Sequence, residues 1–140
     1  MNDLIIVGGG PAGAAAAVYA ARKRLKTVLV VEEWGGQSNV SPDVQNWIGT
    51  TSVSGADLAK DLRKHVESYV GDSLSISFPS KAVGLAVNKG AIEVALKNNE
   101  KISARALLIA SGANRRKLDA PGAAEYDQKG LTYCASCDGP

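Results

Sequence analysis

The 140-residue sequence has no long apolar run. Nothing in it approaches the roughly 18 residues that a membrane-spanning helix requires, and its most alanine-rich stretch, Ala14 to Ala21, is interrupted by Tyr19. Insertion into a bilayer is therefore set aside. The start of the chain lacks both a basic n-region and a long h-region. Met1-Asn2-Asp3 is acidic and leads into a brief apolar run, Leu4 to Val7, so no signal peptide is read and the expected compartment is cytoplasmic. Charge of one sign is also missing: 16 basic side chains face 14 acidic ones, for a net +2. The densest basic runs are only Arg22 to Lys26 and Arg115 to Lys117, which argues for no nucleic-acid partner. Cysteine is scarce, with Cys134 and Cys137 alone, and there is one histidine, His65. In a reducing compartment two such cysteines point to redox or metal chemistry rather than to a disulfide scaffold.

What remains is an ordinary globular balance of 45% apolar and 21% charged residues, long enough to bury roughly two-thirds of its unfolded surface in one core. Asp3 to Val7 is a short β-branched run cut off by glycines, the pattern of a strand buried on both faces. Ala14, Ala17, Val18, Ala21 and Leu25 then form a stripe at helical period, with Arg22, Lys23 and Arg24 where a helix C-terminus favours cations. Thr27 to Val31 is a second buried strand, so the opening reads as a parallel βαβ unit. Residues 33 to 53 lack sustained periodicity and read as a long connection with work to do. Ser54 to Tyr69 is predicted helical, capped by Ser54 with Asp57. Leu74 to Phe78 is a further strand. Lys81 to Val87, Ala91 to Lys97 and Lys101 to Ile102 suggest an antiparallel meander, and Ala106 to Ala110 returns to the buried parallel type. The fold class is therefore α/β, and the segment holding Pro121 and Gly122 reads as a linker to the cysteines.

Gly8-Gly9-Gly10-Pro11-Ala12-Gly13 satisfies G-x-G-x-x-G between a predicted strand and a predicted helix. Gly8 permits a tight turn, Gly10 lets backbone approach a pyrophosphate, and Gly13 lets helix pack on strand. The helix N-terminus adds free N–H groups and a positive dipole end. Glu32 follows about 20 residues later at the end of the second strand, where a carboxylate can accept hydrogen bonds from a ribose diol. Glu33 beside it is the alternative. The motif by itself does not separate FAD from NAD, and a glycine-rich turn that merely joins strand to helix is the competing explanation.

Cys134-Ala-Ser-Cys137 has redox-dithiol spacing, in which one thiolate attacks a disulfide and the other resolves the mixed disulfide. Zinc would need ligands from a second chain, because His65 is distant in sequence, so no metal is assigned. Two inert buried thiols are the other reading. His65 is expected on a helix surface or at the core edge, without chemistry. Trp34 and Trp47 are packing residues or walls of a ring pocket.

Taken together, Gly8 to Gly13, Gly35-Gly-Gln37, Val44-Gln-Asn-Trp47, Ala110-Ser-Gly-Ala113, Pro121-Gly122 and Cys134-Ala-Ser-Cys-Asp-Gly-Pro140 resemble the thioredoxin reductase family of flavoproteins, which includes the flavoprotein component of alkyl hydroperoxide reductase. The resemblance runs through the whole chain. It implies a Rossmann-like FAD-binding domain with a parallel sheet and an antiparallel β-meander over residues 1–113, incomplete here. Residues 114–140 would be a linker and the redox-cysteine start of an NADPH domain. It implies FAD with its pyrophosphate over Gly10, Pro11, Ala12 and Gly13 and its ribose on Glu32. Gly36, Gln37 and Asn46 would line the flavin and ribityl side, backbone near Val83 would touch the adenine, and Ala110, Ser111 and Gly112 would close the site. In the family, reducing equivalents pass from NADPH through flavin to the cysteine pair and on to a protein disulfide of a thioredoxin-like or peroxiredoxin-system partner. Carried over, Cys137 faces the flavin, Cys134 is the interchange thiol and Asp138 manages the thiol protons. The resemblance also allows a homodimer.

The family's second glycine motif, for NADPH, and its returning final segment are not in the sequence, which therefore reads as the N-terminal part of such an enzyme and is not expected to turn over NADPH alone. A non-redox nucleotide-binding module on the same fold is the alternative function, since fold does not dictate function, and a nicotinamide-dependent dehydrogenase is a third.

Overall fold

The computed structural model describes residues 1–88, 90–113, 116–127 and 129–133. Six strands form one sheet: β1 (Asn2–Gly9), β2 (Thr27–Trp34), β3 (Leu74–Ser77), β4 (Ala82–Asn88), β5 (Ala91–Leu96) and β6 (Lys101–Ile109), in the order β3-β2-β1-β6-β5-β4. Pairing is parallel from β3 through β2 and β1 to β6, and antiparallel from β6 through β5 to β4. Among the described residues two helices, α1 (Pro11–Arg22) and α2 (Gly55–Glu67), complete the layers. Among the described residues no helix is long and apolar enough to cross a membrane.

The continuous apolar runs of β1 and β2 are explained by the two-residue repeat of a strand, which sends neighbours to opposite faces. Ile6, Leu29 and Val31 join Ala14, Ala17 and Val66 in the core beneath the helices. Ile5 and Val30 join Val94, Leu96 and Ala104 in a second core on the meander side. Each fully buried side chain of this size contributes about 1.5–3 kcal/mol, so both faces of the central strands are committed to packing. The chemistry is left to the strand ends.

Helix α1 begins at Pro11, whose fixed φ suits the first helical position. It ends where Arg24 turns left-handed at φ 57° and the Leu25 amide returns to the Ala20 carbonyl at 3.1 Å. Leu25, expected in the apolar stripe, therefore lies past the helix and is exposed. In α2 the capping expectation holds: Ser54 Oγ accepts from the Asp57 amide at 3.1 Å, and Leu58 and Val66 are buried. His65 is exposed on α2 with its ring 5.8 Å from that of Tyr69.

The structure also joins two predicted strands: β6 runs without a break from Lys101 to Ile109, through Lys101 to Ile102 and nearly all of Ala106 to Ala110. Ala104 pairs with Ile92 on one side and with Asn2 on the other, so the strand exchanges an antiparallel partner for a parallel one without interruption. The long connection also contains a short 3-10 turn, Gly36–Val40, followed by an arm closed by a Val44–Val53 bridge. In that arm Asp43 accepts from Ser52 Oγ at 2.7 Å and from Gln45 Nε2 at 2.6 Å; these bonds, Ser52's first, hold its carboxyl below the usual range. Trp34 is buried in the helix-side core with its ring 6.3 Å from that of Phe78, whereas Trp47 is exposed on the arm.

Candidate functional site

A cleft of about 920 Å³ opens where the chain leaves the C-terminal ends of β1, β2 and β6. In an open α/β sheet, this crevice beside a strand whose two neighbours are reached by different connections is where ligands bind. The floor is the glycine turn. A Cβ on Gly8, which has φ +123°, would stand 2.2 Å from the Ala110 carbonyl oxygen, and one on Gly13 would stand 1.8 Å from the Gly8 oxygen. Both glycines are required by the packing of α1 and β6 against β1, whatever the cleft holds.

Gly10 is different. Its backbone is extended, with φ −78° and ψ −177°, a conformation open to any residue. A Cβ there would meet no protein atom nearer than the Gly35 oxygen at 3.9 Å. Nothing within the protein demands a glycine at this position, and a side chain would instead fill the space in front of α1. The helix start behind it carries no side-chain cap and no acidic residue in its first turn. Its first intrahelical bond is from the Ala14 amide to the Gly10 carbonyl at 2.9 Å, so the earlier amides face the cleft without an intrahelical acceptor, and Pro11 has none to offer. Together these features make a cradle for an anion such as a diphosphate.

The walls come from three other segments. Gly35 and Gly36 turn left-handed, with φ 82° and 55°, and carry the 3-10 turn across the front of Gly10; Gly36 and Gln37 line the cleft. Ala110, Ser111 and Gly112 form the opposite wall, tied to β1 by the Ala110 amide donating to the Val7 carbonyl at 2.8 Å. At the far end stand Glu32 and Glu33. Glu33 accepts from Asn39 Nδ2 at 3.3 Å, while Glu32 is paired with Lys81 Nζ at 3.0 Å. A smaller adjoining recess of about 320 Å³ continues past Glu32 and Lys81 to Lys97 and Asn98.

Of the residues singled out in the sequence, Gly8, Gly10, Pro11, Ala12, Glu32, Glu33, Gly36, Gln37, Ala110, Ser111 and Gly112 line this one cleft. Gly13 lies beneath it, against Gly8. Asn46 is exposed on the 41–53 arm and is not part of the lining. The expectation at Val83 concerns nearby backbone: Ala82 lines the cleft, and the Val83 side chain is exposed where the β4–β5 register shifts between Ala82 and Gly84. Cys134, Cys137 and Asp138 lie outside the described residues. Ser80 and Lys81 were not anticipated. Their signal was positional: β3 lies parallel beside β2, so the residues following it must emerge at the same sheet end as Glu32.

The chain matches the family model of pyridine nucleotide-disulphide oxidoreductases over residues 2–140. The F component of the alkyl hydroperoxide reductase of Escherichia coli strain K12 is 41% identical over 138 residues, covering 99% of this chain and 26% of that protein. Its counterpart in Pseudomonas aeruginosa is 41% identical over 139 residues, with the same coverage. Among solved structures, thioredoxin reductase of Streptococcus pyogenes superposes with a TM-score of 0.83 at 32% identity, covering 99% of this chain and 44% of that one. Thioredoxin reductase of Lactococcus lactis superposes at 0.81 and 31%, with 99% and 45% covered. The chain thus spans about a quarter of the length of these curated relatives and less than half of these solved chains.

Proposed function

The chain belongs to the pyridine nucleotide-disulphide oxidoreductase family, and on that premise we propose that residues 1–113 bind FAD in the cleft as part of an NADPH-dependent reductase of protein disulfides. The observation that carries the reading is Gly10: an unstrained glycine whose added Cβ would meet nothing closer than ordinary contact, at the uncapped start of α1. Backbone at Gly10 to Gly13 would hold the diphosphate, Glu32 the adenosine ribose, Gly36 and Gln37 the ribityl and flavin side, and Ser111 and Gly112 would close over it. Bound FAD supplies a carrier that takes and gives an electron pair.

The remaining chemistry is assigned to residues 114–140. In the reduced pair, the Cys134 thiolate attacks one sulfur of the partner disulfide, forming a mixed disulfide and releasing one partner thiolate. The Cys137 thiolate then attacks Cys134 Sγ, which closes the Cys134–Cys137 disulfide and frees the second partner sulfur. Two electrons have then left the pair for the partner, and Asp138 is the group we assign to passing the thiol protons. The relatives' names support a thioredoxin-like or peroxiredoxin-system protein as that partner.

Adding FAD to the purified chain and removing unbound cofactor should leave a yellow protein with a band near about 450 nm. A protein that stays colourless overturns the FAD assignment. In the full-length parent, Cys134→Ser with Cys137→Ser should abolish disulfide reduction while the yellow colour persists.

A further inference from the structure

The far end of the cleft contains an ion pair that the glycine motif does not account for. Lys81 Nζ sits 3.0 Å from Glu32 Oε1, across 49 residues of chain, with both side chains more than half exposed. A pair this open stabilises a fold very little, yet the backbone around Lys81 is fixed on both sides. The Ser80 amide donates to the Val31 carbonyl at 2.7 Å, and the Lys97 amide donates to the Lys81 carbonyl at 2.9 Å. These bonds seat Lys81 at the end of β2 beside the acid. Among the described residues lining the cleft it is the cation; of the two carboxylates there it pairs with Glu32, while Glu33 accepts from Asn39.

We infer that Lys81 is a positioning residue for nucleotide binding, holding the Glu32 carboxylate at the cleft edge by one oxygen so that the other accepts from the ribose diol. The inference rests on the FAD reading of the cleft and deepens it. An unpaired surface glutamate samples several rotamers, and pairing at Oε1 removes that freedom before the ligand arrives.

The test is a titration of the 140-residue chain with FAD, followed by flavin fluorescence, for wild type, Lys81→Met, Lys81→Arg, Glu32→Ala and the Lys81→Met/Glu32→Ala double variant, with FMN as a probe lacking the adenosine half. Lys81→Met should weaken FAD about fivefold, the scale of one exposed pair, and Lys81→Arg should restore most of it. In the Glu32→Ala background the same change should have little further effect, because Lys81 acts through the acid. FMN affinity and the unfolding midpoint of the ligand-free chain should not move with Lys81→Met. Additive losses from Lys81 and Glu32, or equal losses for FAD and FMN, would overturn the positioning role while leaving the FAD reading intact. A wild-type chain that binds no FAD removes both.

Discussion

The two helices start in opposite ways. At α2 the chain seals its own N-terminus: the Gly55 amide donates to the Ser41 carbonyl at 2.9 Å and the Asp57 amide to Ser54 Oγ at 3.1 Å. Asp57 places a carboxylate in the first turn, where the dipole favours it, and ties it to Lys60 at 2.8 Å. A Cβ on Gly55 would strike the Ser38 oxygen at 1.7 Å, so that end is closed sterically as well. At α1 there is no side-chain cap and no acid in the first turn, and a Cβ on Gly10 would meet only ordinary contact, with the Gly35 oxygen at 3.9 Å. A helix end left without such partners is usually completed by water or a ligand. One helix start is finished by the fold, and the other is left for something outside it.

The largest break in this contrast comes from Gly13. Alanine in place of a helical glycine is normally favourable by about 1 kcal/mol, but here the new Cβ would stand 1.8 Å from the Gly8 oxygen, and forcing α1 away from β1 costs about 3 kcal/mol. The clash outweighs the propensity gain. Gly13→Ala should therefore lower the denaturant midpoint severely and abolish nucleotide binding with it. Gly10→Val should separate these two losses. The position is unstrained, so unfolding should lose only about 1 kcal/mol, the cost of an apolar residue at an N-cap, well short of the loss at Gly13. FAD affinity should fall about a hundredfold, the cost of losing close backbone contacts to a charged ligand. A Gly10→Val chain that binds FAD normally would remove the reason for reading α1 as the ligand's end.

How legible this asymmetry was in the sequence depended on distance along the chain. Gly10, Gly13 and Ser54 are legible because their work is local, a helix start and a cap decided within a few residues; Gly8 is legible as a turn, but its tightest contact, with Ala110, is not local. β6 was read as two strands because its residue pattern changes at Ala104, where it trades an antiparallel neighbour for a parallel one; periodicity registers the change of environment and not the continuity of the strand. Lys81 escaped because its partner is 49 residues away, and only the placement of β3 beside β2 brings them together. Asn46 and the backbone near Val83 are expected only from the family resemblance; Asn46 sits on the 41–53 arm outside the lining, while Ala82, beside Val83, is part of it. The apolar stripe of α1 was extended to Leu25 because hydropathy does not register the left-handed Arg24 that ends the helix.

Ser54→Ala sharpens the comparison from the sealed side. Loss of an N-cap hydroxyl costs about 1 kcal/mol, so the melting temperature should fall measurably. FAD affinity should be unchanged, since no ligand is assigned to the α2 end. A loss of affinity as large as that expected for Gly10→Val would mean that the two helix starts are not independent.

The smallest effect is a dependence on pH confined to the sealed end. The Asp57 carboxyl is held below the usual carboxylate range, first by the hydrogen bond from Lys60 and then by that from Ser54. A carboxyl whose folded value lies below its unfolded one contributes stability that is present above the unfolded value and disappears as pH falls through the folded one. Lys60 is raised by the same contact, so its share is present below its unfolded value and is lost as pH rises through the folded one. The pair therefore supports α2 between the two limits and fails at both. Because both groups are exposed, the effect should be smaller than that of Ser54→Ala. Asp57→Asn should lower the melting temperature slightly at neutral pH, and the difference from wild type should vanish in strong acid, where wild type has lost the charge too. No titrating side chain caps α1, so Gly10→Val should show the same pH profile of stability as wild type; a different profile would mean that its start is coupled to an ionisable group after all.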